Sequence, residues 1–458
     1  MSGPVISANL VDAIALPRLV WLRPNLIGLV FTLMKLLPAR FIIRKALEEG
    51  ELRPGGLIVE ATSGTFGLSL AMVSALQGHP LTLVGDPAID PPLLRRLEDL
   101  GATVHIVREA GASGGFRQVR QEVLEKVLAS TPGSFCPRQY SNPHNPGSYA
   151  PCAEQLAHAV GGIDCLVGSV GSGGSVCGIS SYLRLILPEL NVIGVDTHGS
   201  VIFGETDAGN DGWLLREVGN SLIPANVDHT AFDLVHWVGA AEAFQATRRL
   251  HREHALHMGP TSGAAFLVAD WWARNHPDSL TAVIFPDEGY RYQDTVYNDA
   301  WLEAKGVRRD VPPREPVEWN RPYNGRDPWS FFRWGRRAYS DVMWIGPSAD
   351  QGNSVATEEA GPDAAHPPPK LVPDGPGGAG ATTFTRTERV EVARGRTDDA
   401  PTPLLRVSAE VPVWVDADTA AEVLGDAVRG LSALDIALGG NGLEVDGIDI
   451  GVAVSAYA

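Results

Sequence analysis

From about residue 50 to residue 290, short and nearly continuous apolar runs alternate with amphipathic stretches, and this alternation limits the fold more than any other feature. The strand candidates are Leu57–Glu60, Leu81–Gly85, Thr103–Val107, Cys165–Ser169, Val192–Asp196 and Ala282–Pro286, with helices expected between them at Gly67–Gln77, Pro91–Leu100 and Gly115–Ala129. A strand that is apolar on both faces needs cover on both sides. The pattern therefore predicts an α/β fold in which parallel-type sheets are covered by helices.

The texture changes near Gly346. Residues 346–383 are polar and rich in Pro, Gly and Ala; such a segment buries too little apolar surface to order itself and is expected to be a flexible linker. Beyond it, residues 384–458 form a candidate small α+β module. Leu405–Val415 alternates strictly, Asp416 or Asp418 is placed to cap a helix carrying Ala420, Val423, Leu424, Ala427, Val428 and Leu431, and a last strand is expected at Ile448–Val454.

Charge and cysteine usage exclude several function classes. The formal net charge of −17 argues against a nucleic-acid or anionic-membrane partner, while leaving room for a local anion site. Cys136, Cys152, Cys165 and Cys177 contain no CxxC pair, so no metal site is signalled, and buried free thiols in a reducing compartment are expected. The N-terminus lacks a basic stretch ahead of an apolar core. The apolar run from Leu26 to Leu37 is shorter than a membrane span and contains Lys35. A soluble cytoplasmic protein is the expectation.

Three loops carry the chemistry. In VGSVGSGGSVCG (167–178) a strand runs into Gly171, Ser172, Gly173, Gly174 and Ser175 and then into a helix. Glycines let backbone N–H groups approach an anion at a positive helix end, which makes a phosphate cradle, although such loops also occur as plain turns. It matches neither the nucleoside-triphosphate loop nor the dinucleotide fingerprint. In EATSGTFG (60–67), Thr62, Ser63, Gly64 and Thr65 gather hydroxyls and N–H groups at a helix start, suited to a carboxylate or equally to an ordinary N-cap. In FPDEGYRYQDT (285–295), Asp287 and Glu288 follow a strand end, where ligands of parallel sheets bind, though a surface carboxylate pair reads the same way.

Taken in order, these loops resemble the cysteine synthase / cystathionine β-synthase family of fold type II pyridoxal phosphate enzymes. EATSGTFG is similar to that family's substrate-carboxylate loop, GSGGS to its phosphate loop, and RQYSNPHNP (138–146), GPTSGAA (259–265) and PDEGYRY (286–292) to three further family segments. The resemblance covers about residues 10–300, so a two-subdomain catalytic domain is expected within 1–340. It implies pyridoxal 5′-phosphate as cofactor and a homodimer. Counting back from Thr62 at the family's spacing lands on Lys35 as the Schiff-base lysine; Lys45 is the competitor, within a helical stretch expected to face solvent. The apolar neighbours Phe31, Leu33, Met34, Leu36 and Leu37 would desolvate Lys35 and lower its pKa, as imine chemistry requires.

The resemblance implies β-replacement on an O-activated serine-type amino acid through an aminoacrylate, with sulfide or an amine as nucleophile. Gly171, Ser172, Gly173, Gly174 and Ser175 would hold the phosphate, and Thr62, Ser63, Gly64, Thr65 and Gln139 the substrate carboxylate. Thr65 stands where the family has an Asn bonded to the cofactor's ring oxygen. Asp287 or Glu288 stands where it has a serine beside the pyridine nitrogen. The segment VDTHGSVIFG (195–204) looks more like family variants that make 2,3-diaminopropionate from O-phosphoserine. One rival reading is a catalytically altered cofactor- or metabolite-binding sensor that keeps the fold; a second makes residues 384–458 an adaptor that docks the enzyme onto a protein partner.

Overall fold

A computed structural model describes residues 6–109, 115–204, 214–215, 218–308, 313–322 and 327–343, together with the backbone of 384–392 and 405–413. The chain divides into two compact units, 1–348 and 349–458.

The first unit holds two sheets. The larger is built from β1 (Arg18–Arg23), β2 (Leu26–Val30), β6 (Cys165–Ser169), β7 (Asn191–Asp196), β8 (Leu234–Val238), β9 (Thr281–Phe285), β10 (Val317–Trp319) and β11 (Trp329–Arg333), in the order β1-β2-β9-β6-β7-β8-β11-β10. Its centre, β2-β9-β6-β7-β8, is parallel, while β1 and β11 join antiparallel at either side. The smaller sheet is parallel, β3 (Ile58–Ala61), β4 (Leu81–Gly85) and β5 (Ala102–Ile106). The expected α/β class holds.

Alternation along the strands explains why both faces are covered. On β6, Leu166 packs into one core with Ile179 and Leu183 of the helix Gly174–Arg184. Its neighbours Cys165 and Val167 turn to the opposite core, with Phe266 and Leu267 of the helix Pro260–Asn275. Each such aliphatic side chain contributes about 1.5–3 kcal/mol when fully buried, so a sheet apolar on both sides needs both helical layers. The smaller sheet packs Leu81 and Leu83 against helices Leu36–Glu48, Thr65–Gln77 and Pro91–Asp99, and Val59 and Val84 against Gly115–Ser130.

Gly168, on β6, shows how tightly these layers meet. A Cβ there would lie 2.7 Å from Val176 and 3.0 Å from Ile284, so glycine lets the helix Gly174–Arg184 start hard against the strand ends.

The apolar run from Leu26 to Leu37 resolves into β2, a turn and the first residues of the helix Leu36–Glu48. The strands β1, β8, β10 and β11 were not expected from the sequence. In the second unit β12 (Phe384–Val392) pairs antiparallel with β13 (Leu405–Val413), the latter covering most of the expected strand at Leu405–Val415. The linker 346–383, the helix after Asp416 and the strand at Ile448–Val454 lie outside the described residues. The four cysteines are free. Burial pushes Cys136, Cys152 and Cys177 up to about 12, and Cys165 well up, so they stay as neutral thiols.

Candidate active site

The C-terminal ends of β2, β6 and β9 open into a cleft lined by Met34, Lys35, Thr65, Ser169, Val170, Gly171, Ser172, Gly173, Ser175, Val176, Thr261, Ile284, Pro286 and Asp287. Lys35 is delivered by the turn after β2. The Met34 N–H donates to Pro286 O at 2.8 Å and the Glu288 N–H to Thr32 O at 3.3 Å, so the lysine turn is stitched to the loop after β9. Lys35 occupies the N-cap position of the helix Leu36–Glu48, and its Nζ donates to Ser172 Oγ at 3.2 Å. Lys45 points elsewhere and pairs with Glu48 at 2.9 Å.

The glycine loop meets this amine at a helix start. Gly173 is the N-cap of the helix Gly174–Arg184 in left-handed backbone (φ +80°) and brings no side chain of its own to the first turn. A Cβ at Gly173 would strike Asn226 O at 2.4 Å, and one at Gly174 would strike Asn145 Oδ1 at 2.2 Å, so neither position admits a side chain. Gly174 therefore packs against Asn145, beneath the lining contributed by its neighbours. The Gly174 N–H reaches Ser172 Oγ at 3.4 Å, as does Asn145 Nδ2. Open helix N–H groups, two hydroxyls and an ammonium form a site for a phosphate dianion.

Asp287 also lines the cleft, is 6% exposed, and accepts a 2.9 Å hydrogen bond from Tyr292 Oη. Glu288 does not share its position. Its carboxylate turns to Arg18 and Thr32, at 3.4 Å each, and it is absent from the cleft wall. The joint expectation for Asp287 and Glu288 thus reduces to Asp287, because consecutive residues in extended backbone face opposite ways.

The helix Thr65–Gln77 contributes its first residue, Thr65, to the wall. Thr62 is buried and its Oγ1 accepts the Gly64 N–H at 3.5 Å. Ser63 Oγ accepts from Arg120 Nη1 at 2.7 Å and from the Asp86 N–H at 3.3 Å, and Arg120 pairs with Asp86 at 3.3 Å. Gln139 is buried beside this loop; its carbonyl accepts from Asn145 Nδ2 at 2.6 Å and Asn226 Nδ2 at 3.0 Å, and its N–H donates to Glu60.

Sequence reasoning missed Arg120, Glu60, Tyr292, Ser169 and Thr261 as parts of this site. Glu60, Ser169, Thr261 and Tyr292 sit inside the quoted loops and could have been found there. Arg120 looks like any charge on the helix Gly115–Ser130, and its closeness to Ser63 depends on tertiary packing.

The residues suit pyridoxal phosphate. The phosphate cradle stands beside Lys35, and the same cleft is lined by the apolar side chains of Met34, Val170, Val176 and Ile284 and by a buried carboxylate, Asp287. Comparison with known proteins gives the same answer. Residues 34–287, more than half of the chain, match the model of the family described as pyridoxal-phosphate dependent enzyme. The chain belongs to that family and is a pyridoxal-phosphate dependent enzyme. It is 35% identical over 281 residues to the N-(2-amino-2-carboxyethyl)-L-glutamate synthase of Cupriavidus metallidurans, an alignment covering 60% of this chain and 82% of the relative. Among solved structures it is similar to the O-acetylserine dependent cystathionine beta-synthase of Helicobacter pylori, with TM-score 0.57 and 25% identity, covering 64% of this chain and 99% of that one. It shares its fold with O-acetyl serine sulfhydrylase isoform 3 of Entamoeba histolytica, with TM-score 0.59 and 22% identity over 67% and 98% of the two chains. Among the described residues, no helix is long and apolar enough to cross a membrane.

Proposed function

We propose that the chain catalyses β-replacement on an O-activated serine-type amino acid, with Lys35 as the cofactor-linking lysine and an amine as the incoming nucleophile. The observation that carries this is the 3.2 Å contact of Lys35 Nζ with Ser172 Oγ, which puts the chain's candidate base at the edge of its phosphate cradle. Gly171, Ser172, Gly173, Gly174 and Ser175 would hold the phosphate, Thr62, Ser63, Gly64, Thr65 and Gln139 the substrate carboxylate, and Asp287 the proton of the pyridine nitrogen. The name of the Cupriavidus relative describes a glutamate carrying a 2-amino-2-carboxyethyl group, the outcome of amine attack at a β-carbon, which supports an amine over sulfide.

The cofactor supplies an electron sink for the α-carbon of a bound amino acid. Lys35 Nζ takes the α-proton. The Cβ–O bond breaks, and the leaving group departs with the electron pair. The amine's lone pair forms the new Cβ–N bond, its surplus proton goes to the departing group, and Lys35 returns a proton to Cα. Thr65 and the 62–64 turn orient the carboxylate, so that the α-proton faces the lysine.

The reading extends to a cytoplasmic homodimer, with the exposed apolar side chains Leu10, Leu16 and Trp21 of the N-terminal segment as its expected interface, and to a docking role for residues 384–458. Sedimentation of the full chain, and of a chain ending before residue 346, tests both.

The first experiment compares wild type with Lys35→Ala. Wild type should be yellow, and borohydride should fix cofactor mass onto the peptide containing Lys35; the variant should show neither that adduct nor turnover of O-phospho-L-serine or O-acetyl-L-serine with amino-acid amines. A borohydride adduct on any other lysine would overturn the assignment.

A further inference from the structure

Glu60 is a carboxylate that the chemistry above does not use. It is the third residue of β3, 5% exposed, two residues before Thr62. Its Oε1 accepts the Ala61 N–H at 2.9 Å and its Oε2 accepts the Gln139 N–H at 3.3 Å, with the Arg138 N–H as a further donor. One side chain thus ties Gln139 and Arg138 to the end of β3, immediately before the 62–65 turn. Arg138 holds left-handed backbone there, φ +51°, an uncommon conformation for a residue with a side chain.

We propose that Glu60 is a positioning residue whose carboxyl group takes up a proton when an amino-acid carboxylate binds over the 62–65 turn and Gln139, so that donor affinity is linked to pH. This rests on the carboxylate-site reading above. Two carboxylates sharing one water-poor site cannot both stay ionised without cost, and the buried one, which has the fewest routes to solvent, is the one to protonate. The other groups felt at Glu60 do not cancel this. The Arg138 charge and the three backbone N–H groups favour the ionised form, but burial outweighs them and pushes Glu60 up to about 7 even before a ligand arrives. Cys136, the neighbouring titratable group, is pushed up to about 12 by its own burial, so it brings no charge near neutrality.

The sign follows. A group protonated more strongly in the complex than in the free enzyme makes binding take up a proton, and affinity falls as pH rises through the free-enzyme value near 7. The fall approaches tenfold per pH unit above it. The donor's own ammonium is common to wild type and a Glu60 variant, so the difference between the two isolates Glu60.

The test is calorimetry of the holoenzyme with L-alanine, which carries the same carboxylate and no β-leaving group. Titrations at pH 7.5 in two buffers of different ionisation enthalpy give the proton count. Wild type is expected to take up roughly half a proton more than Glu60→Gln, and Glu60→Asp to restore uptake, which a merely structural role would not do. Gln139→Ala runs beside them. If it weakens alanine binding while wild type and Glu60→Gln take up equal protons, the Glu60 proposal is wrong and the carboxylate site stands. If it leaves alanine binding unchanged, the carboxylate site is wrong and the proposal falls with it. Should Glu60→Gln not fold, the wild-type profile decides: uptake that vanishes below pH 6 supports the proposal, and uptake independent of pH between 6 and 8 overturns it.

Discussion

Lys35 Nζ and Ser172 Oγ are joined by a 3.2 Å hydrogen bond between groups 137 residues apart in sequence. The lysine enters from the turn after β2 and the serine from the turn after β6, and β9 lies between those strands in the sheet. The contact therefore depends on the parallel core of the large sheet being assembled in register.

Ser172 also receives the Gly174 N–H and Asn145 Nδ2, so its hydroxyl organises the cradle as well as facing the lysine. Hydrogen bonds to a charged group contribute about 1.5–3 kcal/mol. Ser172→Ala should therefore raise the dissociation constant for pyridoxal phosphate by roughly ten- to a hundredfold. Absorbance titration of the apoenzyme measures it, and an unchanged constant would remove Ser172 from the phosphate site.

Asp287, in the wall of the cleft, accepts a 2.9 Å hydrogen bond from Tyr292. If Asp287 holds the ring-nitrogen proton, Asp287→Asn should lower kcat by about tenfold or more while the donor KM stays within a few-fold, because the electron sink weakens and the donor's own contacts remain. Tyr292→Phe should give a smaller loss in the same direction. Steady-state rates over a range of donor concentrations separate the two constants; a rise in KM with kcat preserved would assign Asp287 to the donor instead.

The sequence made the strand ends and their loops visible because central parallel strands are apolar on both faces and glycines mark the close approaches. Leu81–Gly85 and Cys165–Ser169 agree with the structure residue for residue. The partition into two sheets was not visible in the strands themselves, since β3 to β5 have the same texture as β6 to β9. The strand β2 was hidden inside an apolar run, and β8 was broken by His236 and Trp237, whose burial only tertiary packing explains. At the site, Asp287 and Glu288 looked equivalent as a pair, and the backbone turned one to the cleft and the other to Arg18.

His236 carries a stability prediction. It is fully buried, its Nδ1 accepts from Trp329 Nε1 at 3.1 Å, its ring stacks on Phe331, and burial pushes its pKa down to about 3. In the unfolded chain it titrates near 6.5. Between those values the unfolded state binds one proton more, so stability is full above about 6.5 and falls with decreasing pH by about 1.4 kcal/mol per unit. From pH 7 to pH 5 this amounts to roughly 2 kcal/mol from His236. Urea unfolding of wild type and His236→Phe at both pH values should show the variant losing less by about that amount, although it starts lower because Trp329 Nε1 loses its partner. Equal losses would mean His236 is not neutral in the native state.

Arg120 bears on which donor is used. Its Nη1 bonds Ser63 Oγ at 2.7 Å, and its Nε is buried without a hydrogen-bond partner among the described residues. A buried guanidinium donor left open beside the 62–65 turn favours a donor that brings negative charge on its leaving group, because that charge would satisfy it. Asp86 already offsets part of the arginine's charge at 3.3 Å, so the preference should be moderate rather than absolute. Arg120→Met should raise KM for O-phospho-L-serine about tenfold or more and leave KM for O-acetyl-L-serine within about twofold. Measuring both donors on one preparation separates recognition from damage to the fold, since a loosened Ser63 turn would weaken both donors alike. An equal rise for the two would make Arg120 a support for the carboxylate turn and leave the leaving group to be read by other residues.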